Sequence, residues 1–326
     1  MAEPQDALFP PPPPGPGSLG TLRPPVFNVL LFLLTFASAF VSGAYLTDTQ
    51  LPEPADVQKF WNGLGFAAAL LAILLAHEMG HFLQARRHGV DATWPFFIPM
   101  PLLSLIGTFG AVIRLRALPR TRRALLDIAA FGPLAGFLLT IPVAAIGLKL
   151  STVVPVEPEA RHWSLFEAVY SWATRGEWLP LRDAFDLGQP LGMRLLGRLV
   201  VGDLGPAQHL ALHPVAIAGW FGFLLTALNL LPLGQLDGGH VLHATSPRLH
   251  RLLGPPLSAV LVALGVFTSF PGWALWGLLM GLGLSAHPTL EAPEAGLDGR
   301  RRALVAASVA MMVLSFSPVP LVLLAQ

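Results

Sequence analysis

Long apolar stretches dominate the chain. Residues 26–46, 128–148, 252–270 and 303–325 contain no Asp, Glu, Lys or Arg, and each approaches the roughly 20 residues that a helix needs to cross about 30 Å of hydrocarbon. Residues 61–85 and 213–231 are as long but carry His, Glu or Asn. Between residues 252 and 286 the apolar run exceeds one span, and Ser269-Phe270-Pro271-Gly272 supplies a turn in its middle, so a helical hairpin with a short second arm is expected. The pattern predicts an all-α polytopic membrane protein of about seven transmembrane helices. Between the second and third, residues 105–116 have strand-like composition with partial alternation, which predicts a small membrane-associated β-hairpin.

This divides the chain into a Pro-rich tail (1–25), three helices with the hairpin (26–150), an outer loop (151–208) and four further helices (209–326). The tail holds Pro10 to Pro14 in a row and no basic stretch before an apolar one, so it is expected to be disordered rather than a cleaved signal. Charge adds an orientation. Arg23, Arg86, Arg87, Arg114, Arg116, Arg120, Arg122, Arg123, Arg248, Arg251, Arg300, Arg301 and Arg302 fall on one side, and the remaining seven of the 20 Lys and Arg on the other. The positive-inside rule makes the richer side cytoplasmic. Hydrophobic residues make up 53% and charged residues 12%, well below the roughly 25% charged of a soluble domain. A net charge of +1 without a basic, aromatic-interleaved run gives no support for nucleic-acid binding. With no cysteine, any metal ligands must be His, Asp or Glu.

Those ligand types occur in the second span as His77-Glu78-Met79-Gly80-His81. Residues four apart share a helix face, so His77 and His81 can grip one ion. Glu78 lies about 100° round the helix, placed to act on a water as general base and then acid. That is the division of labour of metal-assisted peptide hydrolysis. Burying three ionisable residues in a span costs roughly 2.5–3.5 kcal/mol each unless they are partnered, which argues against a chance pentapeptide.

A third ligand must come from elsewhere. Asp237 is the candidate, in the stretch from Asn229 through Pro232 and Gly234 to Gly239, where the fourth span breaks. On its own Asp237 reads as a helix N-cap and Asn229 as a helix-to-helix hydrogen bond; with His77 and His81 expected at the same depth, the ligand reading is preferred. Gly132 and Gly136, like Gly277 and Gly281, form GxxxG and read as packing sites. His88, His213, His240, His243, His250 and His287 read as interfacial or hydrogen-bonded histidines rather than as metal ligands.

HExxH on one transmembrane helix with NxxPxxxLDG on a later one resembles the site-2 protease (M50) family of intramembrane metalloproteases. Gly107-Thr108-Phe109-Gly110-Ala111, Gly132-Pro133-Leu134-Ala135-Gly136 and the run from His213-Pro214 to Gly238-Gly239 resemble most its branch of plant chloroplast EGY-type proteases and their bacterial relatives. The resemblance implies one zinc per chain held by His77, His81 and Asp237, with Glu78 activating water and Asn229 helping to hold the substrate backbone. It implies a transmembrane protein substrate, held extended along Gly107, Thr108, Phe109 and Gly110, and a bacterial inner membrane with the site toward the cytoplasm. The rival readings are a divalent-metal transporter, which the lack of an internal repeat disfavours, and a helix-binding pseudoprotease, which the intact Glu78 disfavours.

Overall fold

The computed structural model describes residues 25–46, 56–101, 103–116, 119, 121–155, 161–162, 164–176, 181–205, 207–282 and 296–325. The predicted Pro-rich tail lies outside these, apart from Pro25. In chain order the elements are α1 (Val26–Tyr45), α2 (Asp56–Arg87), β1 (Phe96–Pro99), β2 (Thr108–Val112), α3 (Arg122–Leu150), β3 (Thr152–Pro155), β4 (Arg161–His162), α4 (Leu165–Arg175) and β5 (Leu181–Leu187). They continue as α5 (Leu191–Val200), β6 (Gln208–Ala211), α6 (Pro214–Leu230), α7 (Asp237–Thr245), α8 (Pro247–Phe267), α9 (Gly272–Gly281), α10 (Gly299–Ser315) and β7 (Leu321–Ala325).

Four helices, α1, α2, α3 and α8, are long and apolar enough to cross a membrane. The other three expected spans are shorter: α6 has 17 residues, α9 has 10 and α10 has 17. The last apolar window, 303–325, is not one helix. Helix α10 stops at Ser315, Pro318 and Pro320 cannot continue it, and the chain then runs extended as β7 between β4 and β5. The segment between α3 and α6 is thus tied to the C-terminal strand, a pairing between distant segments that local periodicity does not show. A third small sheet, β3 with β6, closes the base of that segment, where the His213 N–H donates to Ser151 Oγ at 3.0 Å.

Helices α2, α3 and α6 form the core. Phe66, Leu70, Leu71, Ile217, Trp220 and Phe223 are buried together between them. Trp220 is a packing residue of this core, its indole N–H donating to the Gly188 carbonyl at 2.7 Å inside the protein. The β-hairpin stands between α2 and α3 in sequence as expected, but its first strand is residues 96–99, upstream of the 105–116 stretch.

One end of the core is fastened by charge. Asp127, buried near the start of α3, accepts from His88 Nε2 at 2.9 Å and from the Arg301 guanidinium at 2.5 Å. Arg301 also pairs with Asp298, the N-cap of α10. Arg122 donates to the carbonyls of Ala244 and Thr245 at the end of α7. These contacts gather the end of α2, the starts of α3 and α10 and the end of α7 at one end of the molecule. Removing one member of a buried ion pair strands the other charge, so Arg301→Met should lose about 3 kcal/mol of stability. Arg198→Met, at an exposed pair with Asp203, should lose less than about 1 kcal/mol. Thermal unfolding of the two purified variants against wild type in the same detergent checks the contrast.

Candidate metal centre

Helix α2 carries His77 and His81 one turn apart with their Nε2 atoms 3.1 Å from each other. The Asp237 Oδ2 atom lies 3.3 Å from both. Two histidines of one helix and an aspartate 156 positions beyond the second thereby form a triangle of three ligand atoms. A tetrahedral ion bound at about 2.0–2.1 Å separates its ligand atoms by roughly 3.3 Å, so the triangle fits one such ion. His81 is fixed in the right tautomer: its Nδ1 donates to the Ile128 carbonyl at 2.8 Å, leaving the Nε2 lone pair pointing into the triangle. All three residues are buried or nearly so.

Asp237 arrives there because the chain breaks after α6. Leu231 leaves the helix with ψ 128°, Pro232 follows, and Gly234 turns the backbone at φ +51°, a left-handed value that suits glycine. Asp237 is the first residue of α7, and Leu236, not Asp237, holds the N-cap position. The N-cap alternative is thus not the one adopted: the Asp237 carboxylate faces the two imidazoles. Asn229, in the last turn of α6, sets its amide nitrogen 3.3 Å from His77 Nε2, reaching across to α2 at the edge of the triangle.

Glu78 is outside the ligand group. It lines the adjoining cavity, of about 390 Å³, and accepts a hydrogen bond from the Ile113 backbone N–H. The cavity wall on the hairpin side is Ala111, Val112 and Ile113. Gly107, Thr108, Phe109 and Gly110, named from sequence as the substrate-contacting stretch, are not part of that wall. Thr108 is buried with its hydroxyl donating to the Ile98 carbonyl at 2.9 Å, and Phe109 is exposed. The hairpin is in place, but the part facing the site lies about three residues further on, at the end of β2 and just past it.

The GxxxG of α3 proves to be part of the site. A Cβ on Gly132 would run into the His81 ring, and one on Gly136 would sit 3.2 Å from His77 Cβ. Both glycines give α3 the close approach that seats the two imidazoles, a role that their spacing alone does not distinguish from ordinary helix packing. Among the remaining histidines, His240 and His243 line the cavity and His88 partners Asp127. His213 accepts from the Val215 N–H at 3.2 Å as the N-cap of α6. His287 lies outside the described residues.

Comparison with known proteins adds to this geometry. A profile of the family described as Peptidase family M50 matches residues 65–271. The chain is similar to "Probable zinc metalloprotease EGY1, chloroplastic" of Arabidopsis thaliana, at 33% identity over 94% of this chain and 55% of the relative. It is similar to the protein of the same name from Oryza sativa subsp. japonica, at 33% identity over 94% of this chain and 52% of the relative. A similarity also links it to "Probable zinc metalloprotease EGY2, chloroplastic" of Oryza sativa subsp. indica, at 30% identity over 61% of this chain and 32% of the relative. The chain spans about half the length of the first two relatives. No solved structure matches it.

The close approach at Gly132 is testable without any substrate. Gly132→Val should abolish stoichiometric metal binding by pushing His81 out of the triangle, while Gly136→Ala, with only a tight 3.2 Å contact to relieve, should retain most of it. Metal content of the purified variants by inductively coupled plasma mass spectrometry checks both.

Proposed function

The chain belongs to peptidase family M50, and from that membership and the geometry of the site we propose that it is an intramembrane zinc metalloprotease. Its substrates on this reading are transmembrane segments of other proteins, cut in a process of regulated intramembrane proteolysis. The single observation that carries the reading is the triangle of His77, His81 and Asp237 with Glu78 beside it and outside it. Three ligands leave one tetrahedral position open, which is the pattern of a catalytic rather than a structural zinc. The relatives' names, as zinc metalloproteases, support zinc as the ion.

When bound, zinc supplies Lewis-acid polarisation of the scissile carbonyl and of the attacking water. The chain's own residues do the rest. The Glu78 carboxylate takes a proton from the water and passes it to the leaving amine. Ile128 holds the His81 ring in place through its carbonyl. Asn229, at the rim, is placed to donate its amide to a substrate carbonyl.

A transmembrane helix must be unwound before its amides can be reached. Strand β2 pairs only with β1 among the described residues, and its far end contributes Ala111 and Val112 to the cavity wall. An extended substrate adding to that free edge would be held by backbone hydrogen bonds. Seven spans complete the proposal, with α6, α9 and α10 added to the four long helices. The arginine-rich end, where α2 ends and α3 begins, is assigned to the cytoplasmic side of a bacterial membrane. The names of the relatives place those proteins in chloroplasts.

Glu78→Gln should keep one zinc per chain and lower the cleavage rate of a membrane-spanning test peptide by roughly 10²–10⁴-fold. Wild-type rates in the variant would overturn the assignment of Glu78. Val112→Pro, a proline in the strand end that lines the cavity, should reduce cleavage with zinc retained, and unchanged cleavage would rule out edge binding.

A further inference from the structure

Helix α1 contributes nothing to the metal triangle, yet it carries polar side chains that are buried in an apolar span. Asn28 donates its amide to the carbonyls of Trp94 at 3.2 Å and Pro95 at 2.8 Å, immediately before β1. Ser38 donates its hydroxyl to the carbonyl of Gly107 at 2.6 Å, immediately before β2. The third polar group between them, Thr35, spends its hydroxyl on Leu31 of its own helix at 2.7 Å. Asn28 and Ser38 therefore reach the hairpin, while Thr35 does not.

The spacing has a consequence. Ten residues of helix rise about 15 Å, close to the length of a strand of four residues at about 3.3 Å each. The two side chains thus fasten the entry of each strand, at opposite ends of the hairpin. The rest of the α1 contact is apolar, with Phe32 edge-on to Phe97 at 5.0 Å and Phe27 against Phe96 at 6.3 Å. Apolar contacts tolerate sliding, whereas directional hydrogen bonds do not. At the other side of the hairpin, Glu78 takes the Ile113 N–H, so a hairpin shifted by one residue would present a different backbone group to the general base.

We infer that Asn28 and Ser38 are positioning residues: by pinning the hairpin lengthwise they set which peptide bond of an edge-bound substrate faces Glu78. This rests on the edge-binding reading above. The pins act on where the cut falls and on how tightly substrate is held, and leave the metal triangle untouched.

The test uses the full chain in lipid nanodiscs with a membrane-spanning peptide, reading zinc content, kcat, KM and the cut position by mass spectrometry. Wild type and Thr35→Val should cut one and the same bond. The double variant Asn28→Leu with Ser38→Ala should keep one zinc per chain, raise KM roughly 5- to 30-fold, as loss of two or three hydrogen bonds implies, and spread the cuts over neighbouring bonds. Ser38→Thr, which keeps the hydroxyl, should cut as wild type does where Ser38→Ala does not. The inference is overturned if the double variant cuts the wild-type bond alone with KM within about twofold, or if it loses zinc together with activity. Should Val112→Pro leave cleavage untouched, the edge reading fails and takes this inference with it; a sensitive Val112→Pro beside an insensitive double variant overturns the inference alone.

Discussion

A charge taken out of water must find a partner, and the structure is organised around that requirement. Helix α2 buries His77, Glu78 and His81 in an otherwise apolar span, at an energy that an isolated helix in lipid could not sustain. The partners come from every side: Asp237 from the start of α7, the Ile128 carbonyl from α3, the Ile113 N–H from the end of the hairpin. Each is delivered by a break in regular structure or a close approach. Pro232 and Gly234 end α6 so that Asp237 can turn in, and Gly132 and Gly136 let α3 approach the two imidazoles.

The same requirement recurs a short way from the site. Asp127 sits one residue before Ile128 and is held by His88 and Arg301. That network joins α10, a helix remote from the metal triangle, to the segment of α3 that orients His81. Polar contacts between helices in a low-dielectric interior fix register where apolar packing would allow sliding.

Much of this was legible in the sequence because hydrophobic runs and HExxH are local signals. The helices α1 and α3 follow from apolar windows free of charge, α2 from one that carries the polar cluster, and the pairing of His77 with His81 follows from helical spacing. Asp237 was legible as a candidate because Pro232 and Gly234 break the preceding span. What periodicity could not show is anything set by contacts between distant segments. The pairing of β7 with β5 converts the end of the last apolar window into a strand. Ala111, Val112 and Ile113 face the site instead of Gly107 to Gly110, because the register of β2 is fixed from outside, by α1 and by Glu78. Gly132 and Gly136 carry no mark in sequence that separates seating an imidazole from packing a helix, and His88 finds its acid 39 residues away.

The central claim is that two histidines of one helix and an aspartate far along the chain hold a single ion. X-ray absorption at the zinc edge of the purified full chain tests it most directly. The account predicts a shell of nitrogen and oxygen neighbours that includes two imidazoles, and a change in that shell when Asp237 is replaced by Ala. A shell without two imidazoles, or one that is identical in the Asp237→Ala protein, would contradict it.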